Sequence, residues 1–175
     1  EHLGHRFRDI GLLDQALAHR SFAHEQQCDS NERLEFLGDA ILQTCTTIQL
    51  YRRFPDAPEG ELSRYRASLV STRSLAMLGR ELGVGPCLKL GRGEEATGGR
   101  DKDSILADTT EALLGAIYQD AGFDVVLVVL TELLAPHLDK LERAVEVVGP
   151  AARIDPRSQL QEETQRRWQQ TPDYE

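Results

Sequence analysis

Apolar residues return every three or four positions along most of this chain, and no stretch alternates at the period of two that marks a half-buried strand. Leu34, Leu37 and Ile41 form one helical face of an unbroken run that opens at Asn31, the expected N-cap. That helix should end before Phe54-Pro55, because the residue ahead of a proline avoids the α region. Leu12 to Ala18 reads as a short amphipathic helix, and Glu61 to Leu69 and Thr72 to Leu82 as two more. Gly83-Val84-Gly85-Pro86 then breaks the chain. Gly91-Arg92-Gly93 and Gly98-Gly99-Arg100 bracket a charged loop expected to be mobile. Ser104 is a candidate N-cap for a helix that runs to about Asp120 and stops at Ala121-Gly122. A last helix covers roughly Val125 to Val147, with Pro136 as a kink or break. The pattern predicts an all-α bundle.

Val148-Gly149-Pro150-Ala151-Ala152 reads as the core of a linker over residues 148–154. Beyond it, Asp155 can cap a polar helix with Pro156 at its first position. That helix should pass Gln161 and Trp168 and stop before Thr171-Pro172. About 20 residues cannot bury a core of their own, so residues 155–175 read either as a tail or as the first helix of a second domain that is cut short.

A chain of 175 residues with 40% apolar content can build one domain with a real core. No window approaches the length of a membrane span. Its 3 cysteines, Cys28, Cys45 and Cys87, form no CxxC pair and suit a reducing cytosol, so the expected location is cytoplasmic. The net charge of −9 weighs against a general nucleic-acid binder. Bound divalent cations would offset part of that charge.

The acids themselves are patterned. Glu32, Glu35 and Asp39 stand at i, i+3 and i+7, within about 60° of one another on a helix. Asp108 and Glu111 repeat the three-residue spacing inside Ile105-Leu106-Ala107 and Ala112-Leu113-Leu114. Most acidic runs are simply solvated, but carboxylates set among small and apolar residues should be partly buried. Two of them about 5 Å apart repel by about 3 kcal/mol at an effective dielectric near 20. Such a cluster calls for protons, arginines or a hard cation, and oxygen-only donors favour Mg²⁺ over zinc. Carboxylate-held Mg²⁺ usually serves phosphate chemistry. The residues alone therefore point to phosphodiester or pyrophosphate hydrolysis, with the substrate open.

Asn31-Glu32-Arg33-Leu34-Glu35-Phe36-Leu37-Gly38-Asp39-Ala40-Ile41-Leu42 resembles the signature of the ribonuclease III family. Further stretches resemble that family in order: His19-Arg20-Ser21, Glu61-Leu62-Ser63 with Arg66-Ala67, and Leu90 to Glu95. Gly98-Gly99-Arg100 and Ser104 to Asp108 with Glu111-Ala112 complete the series. The resemblance implies an all-helical endonuclease domain over residues 1–147. Asp155 to Glu162 is similar to the start of the family's α+β double-stranded-RNA-binding domain, which the chain would hold only in truncated form.

The resemblance implies a Mg²⁺-dependent endonuclease for double-stranded RNA, acting in rRNA and mRNA precursor processing, with Mn²⁺ as a substitute ion. Glu35, Asp39, Asp108 and Glu111 would hold metal, with Asp39 and Glu111 most directly catalytic and Glu32 supporting. The products would carry 5′-phosphate and 3′-hydroxyl ends. The family works as a homodimer, and Phe36 matches the residue that plugs into the partner; an ordinary core aromatic is the competing reading. Gln161 and Gln165 would contact RNA from the second domain, against a plain solvated helix. Thr110 stands where the family more often has a larger apolar residue. His19 is expected to cap or pack rather than catalyse. Arg64, Arg66, Arg73, Arg92 and Arg100 are candidate phosphate contacts. The rival to the nuclease is a non-catalytic double-stranded-RNA-binding or ribosome-associated relative. A hydrolase of small phosphate esters is a third reading, without a small-molecule pocket signature behind it.

Overall fold

A computed structural model describes residues 3–148. The expected linker after Val148, Gln161, Gln165 and the start of a second domain lie outside the described residues. Among those described, regular structure is helical apart from one isolated parallel bridge between Ala18 and Lys89. The helices are α1 (Ile10–Ala16), α2 (Arg20–Gln26), α3 (Glu32–Arg53), α4 (Glu59–Leu69) and α5 (Thr72–Glu81). They continue as α6 (Val84–Cys87), α7 (Arg92–Ala96), α8 (Asp103–Ala121) and α9 (Phe123–Val148). The chain divides into two compact units, Glu1–Ala135 and Pro136–Glu175. Helix α9 runs through this point, because Pro136 removes one N–H without ending the helix.

In the first unit α8 is the central element, with α1, α3 and α5 packed against it. It buries residues on nearly every side, from Ile105, Leu106 and Ala107 through Thr109, Thr110 and Ala112 to Ile117. A helix apolar all round belongs inside a core. Leu42 and Leu50 from α3, Leu75 from α5 and Val126 and Leu130 from α9 are fully buried with it. Each such side chain contributes about 1.5–3 kcal/mol of transfer free energy. Thr110 is accommodated here: its hydroxyl donates to the Leu106 carbonyl at 2.7 Å. A Cβ at Gly79 would meet that hydroxyl at 2.8 Å, so a small residue opposite makes room for it.

Four local expectations differ from the structure. Asn31 occupies the N-cap position of α3, but its side chain makes no capping bond; Ser30 Oγ accepts from the Glu32 amide instead, at 3.4 Å. Helix α8 starts at Asp103, so Ser104 lies inside it and caps nothing. Gly83 to Pro86 is less a break than the start of the one-turn α6. The glycine-flanked segment is also regular structure rather than an irregular loop. It holds α7 and a 3-10 turn over Gly99–Asp101, held by Arg100. That guanidinium pairs with both carboxylate oxygens of Glu95 at 2.7 Å and donates to the carbonyls of Gly85, Pro86 and Leu88. An arginine with its donors engaged internally is not a free phosphate contact.

Candidate active site

The two acidic helices meet at glycines. An ideal Cβ on Gly38 would sit 1.8 Å from the Glu111 carbonyl oxygen, and one on Gly115 would sit 2.2 Å from that of Leu34. Only residues without side chains let the backbones of α3 and α8 approach so closely. This contact sets the distance between the carboxylates on the two helices.

One oxygen from each of Glu35, Asp108 and Glu111 lies within 4.8 Å of the other two, and all three residues are half-buried. Burial first, then the charges of Asp39, Asp108 and Glu35, pushes the Glu111 carboxyl up to about 7. Burial likewise raises Asp108, and it raises Glu35 together with the negative charges of Asp108 and Glu32. Three carboxyls all disfavoured as anions, with no histidine or cysteine among them, are a donor set that fits a hard divalent cation. Asp39 is exposed, one oxygen accepting from Gln43 at 3.3 Å, and stands outside the tight trio. Its charge nevertheless ranks first among those acting on Glu111. Glu32 is also exposed and accepts from Ser30 Oγ at 2.8 Å. The partial burial expected of Asp39, Asp108 and Glu111 therefore holds for Asp108 and Glu111 and not for Asp39.

Beside the trio opens a cleft of about 430 Å³, lined by Glu35 and Asp108 and, further along, by His19, Arg20, Asn31 and Lys102. Backbone bonds assemble this wall from distant segments. Lys89 donates to the Leu17 carbonyl at 2.9 Å, His19 to that of Lys89 at 3.1 Å, and Asn31 to that of Ala18 at 2.9 Å. His19 caps α2, its Nδ1 accepting from the Ser21 amide and lying 2.8 Å from Ser21 Oγ. Burial lowers its pKa, so the ring stays neutral near pH 7 with its proton on Nε2. Capping was the expected role. Lys102 is tied to Glu94 and to Thr97 Oγ1 at 2.9 Å. Sequence reasoning passed over Asn31 and Lys102 as parts of this wall, since their spacing from the acids carries no helical signal.

Phe36 projects from α3 with 82% of its surface exposed, which excludes the core-aromatic reading. Tyr51, on the same helix, is 73% exposed. Between Tyr51 and α4 runs a groove of about 420 Å³ lined by Leu50, Ala57, Leu62 and Arg66. Arg66 donates to Thr47 Oγ1 at 3.0 Å. Among the described residues no helix is long and apolar enough to cross a membrane.

An all-helical domain carrying carboxylates on two touching helices, at a cleft, is the architecture of a nuclease domain of the ribonuclease III kind. Residues 9–138 match the family model described as Ribonuclease-III-like. The chain belongs to that family. It is 46% identical over 174 residues to the Ribonuclease 3 of Nitratidesulfovibrio vulgaris, covering 98% of this chain and 66% of that protein. It is 49% identical over 175 residues to the Ribonuclease 3 of Syntrophobacter fumaroxidans, covering 98% of this chain and 72% of that one. The chain thus spans about two-thirds of the length of such relatives. The crystal structure of the nuclease domain of ribonuclease III from Campylobacter jejuni superposes with a TM-score of 0.73 at 39% identity, covering 78% of this chain and 90% of that one. A second structure of that domain, with a TM-score of 0.72 at 40% identity, covers 75% of this chain and 90% of that one and concerns a region involved in dimer formation.

Proposed function

We propose that this chain is the catalytic part of a Mg²⁺-dependent endonuclease for double-stranded RNA, with Glu35, Asp39, Asp108 and Glu111 as the metal-holding set. The observation that carries the reading is the convergence of Glu35, Asp108 and Glu111 within 4.8 Å from two helices. A Mg²⁺ ion held there would lower the pKa of a water and offset charge developing on the phosphate, and Mn²⁺ would serve in its place. The chain's own part is to fix the carboxylates on rigid helices. It also holds Glu111 near its protonation point and leaves Asp39 exposed toward incoming substrate. The products on this reading are 5′-phosphate and 3′-hydroxyl ends, from precursors of rRNA and mRNA. Glu32 supports the set from the exposed rim, and Gln161 and Gln165 remain proposed RNA contacts of the adjoining domain.

The working form on this reading is a homodimer. Phe36 of one copy would enter the groove beside Tyr51 of the other, which presents Leu50, Ala57 and Leu62 to an aromatic ring. A cytoplasmic location agrees with Cys28, Cys45 and Cys87, which are free thiols. The non-catalytic RNA-binding relative is the rival, and presence of all four acids favours the nuclease.

Incubating a long duplex RNA with the wild-type chain and Mg²⁺, beside Glu111→Gln and beside chelator, tests this reading. Cleavage by the wild type alone, leaving 5′-phosphates, supports the nuclease and the metal set together. A folded dimer that binds duplex RNA without cutting it supports the rival.

A further inference from the structure

Asn31 is 2% exposed, yet its side-chain amide nitrogen has no hydrogen-bond partner among the described residues. Its backbone is fully used, accepting the first bond of α3 from Glu35 and donating to the Ala18 carbonyl. A buried amide without a protein partner is satisfied from outside the chain, by water or, where it borders a cleft, by a ligand that replaces that water. The residue lines the cleft beside the acidic trio. A half-turn about its last torsion exchanges nitrogen and oxygen, so the donor end can face that cleft without moving the backbone.

Its neighbours narrow the ligand. His19 lines the same cleft, with Nδ1 engaged by Ser21, which leaves Nε2–H as a second donor. Glu32 offers an acceptor, one of its oxygens being held by Ser30. Glu32, Glu35, Glu94 and Asp108 outnumber Arg20 and Lys102 along this wall, and Lys102 is already paired with Glu94. An additional phosphate would be repelled there. A neutral hydroxyl that accepts from an amide or imidazole and donates to a carboxylate suits all three groups.

We propose that Asn31, His19 and Glu32 form a ribose-reading subsite that binds a 2′-hydroxyl of the RNA strand beside the scissile bond. The subsite rests on the nuclease reading and adds to it the means by which RNA is told from DNA, since that hydroxyl is what distinguishes the two. It differs from the metal set in needing no charge on the ligand.

The test uses duplex RNAs carrying a single 2′-deoxy nucleotide, moved one position at a time past the cut. Cleavage of each by the wild type is compared with cleavage by Asn31→Ala. One deoxy position should lower wild-type kcat/KM by about fivefold to tenfold. Asn31→Ala should show a similar loss on the all-ribose duplex and little further loss at that position. Its melting temperature should equal or exceed that of the wild type, because no protein hydrogen bond is removed. Uniform cleavage of every deoxy duplex, or losses that multiply in the variant, would overturn the subsite. So would a variant that melts early, which would make the amide a structural support. A wild type that cuts no duplex RNA would bring down the nuclease reading itself. The substrate series on the wild type stands whether or not the variant folds.

Discussion

Gly38 lies so close to the backbone of Glu111 that a methyl group on it would sit 1.8 Å from the Glu111 carbonyl oxygen. The obstacle is backbone, which cannot swing aside as a side-chain tip would. Gly38 separates Phe36 and Leu37 from Asp39 in sequence and lets α3 touch α8 in space. The glycine is therefore as much a part of the carboxylate geometry as the acids themselves.

Gly38→Ala should destabilise the fold by about 1–3 kcal/mol or more, since α3 and α8 must move apart. It should also weaken Mg²⁺ binding, because the carboxylates separate with the helices. Urea denaturation and calorimetric titration measure the two effects. An unchanged midpoint would mean that the helices do not cross at this contact.

Glu111→Gln should bring cleavage down by more than about a hundredfold while leaving duplex binding largely intact. The substitution removes a charge from a half-buried position without changing side-chain shape. Filter binding beside the cleavage assay separates the outcomes, and equal loss of both would count against the metal role.

The raised pKa of Glu111 has a stability consequence. Unfolded, the group ionises near its ordinary 4.5; folded, it holds its proton up to about 7. The folded state thus binds more protons across that window, and the metal-free protein should lose stability as pH rises through it. After discounting for solvent screening of a half-exposed group, the loss is about 1–2 kcal/mol. Glu35 and Asp108 shift in the same direction and add to it. Mg²⁺ should therefore raise the melting temperature more at pH 7.5 than at pH 5, by mass action on the ionised site. A flat metal-free profile that stays flat in Glu111→Gln would refute this.

Phe36→Ala should leave monomer stability within about 0.5 kcal/mol of wild type, because the ring is exposed. Dimer affinity should fall by at least about tenfold. Sedimentation at several concentrations reads the change, and an unaltered association constant would remove Phe36 from the interface.

Asp120 holds the N-terminal segment to the end of α8, accepting from the Arg8 and Asp9 amides and lying 2.8 Å from His5 Nε2. Those backbone bonds, with His5, bring its pKa down to about 2. Asp120→Ala should lower the melting temperature by several degrees near neutral pH. The difference from wild type should vanish as pH falls through about 2, where the native carboxylate is protonated. A persistent difference in acid would mean that packing, not charge, is lost.

Helix positions were legible in this chain because apolar spacing and prolines act locally: α3 ends at Arg53, before Phe54-Pro55, and α8 ends before Gly122, as the pattern requires. The acids were legible because an i, i+3, i+7 spacing puts them on one face whatever the helix touches. Other features depend on packing between segments far apart in sequence. Ser104 and Asn31 look like caps, yet α8 begins two residues early and the Asn31 amide nitrogen finds no partner among the described residues. The segment around Gly91 to Arg100 looks mobile, yet Arg100 ties it to carbonyls near Gly85. Phe36 could be a core aromatic or, by resemblance, a residue that meets a partner, and only the packing of α3 leaves it exposed. Local pattern determined the helices and which residues carry charge. Tertiary structure decided which charges converge, because that depends on how closely Gly38 and Gly115 let two backbones approach.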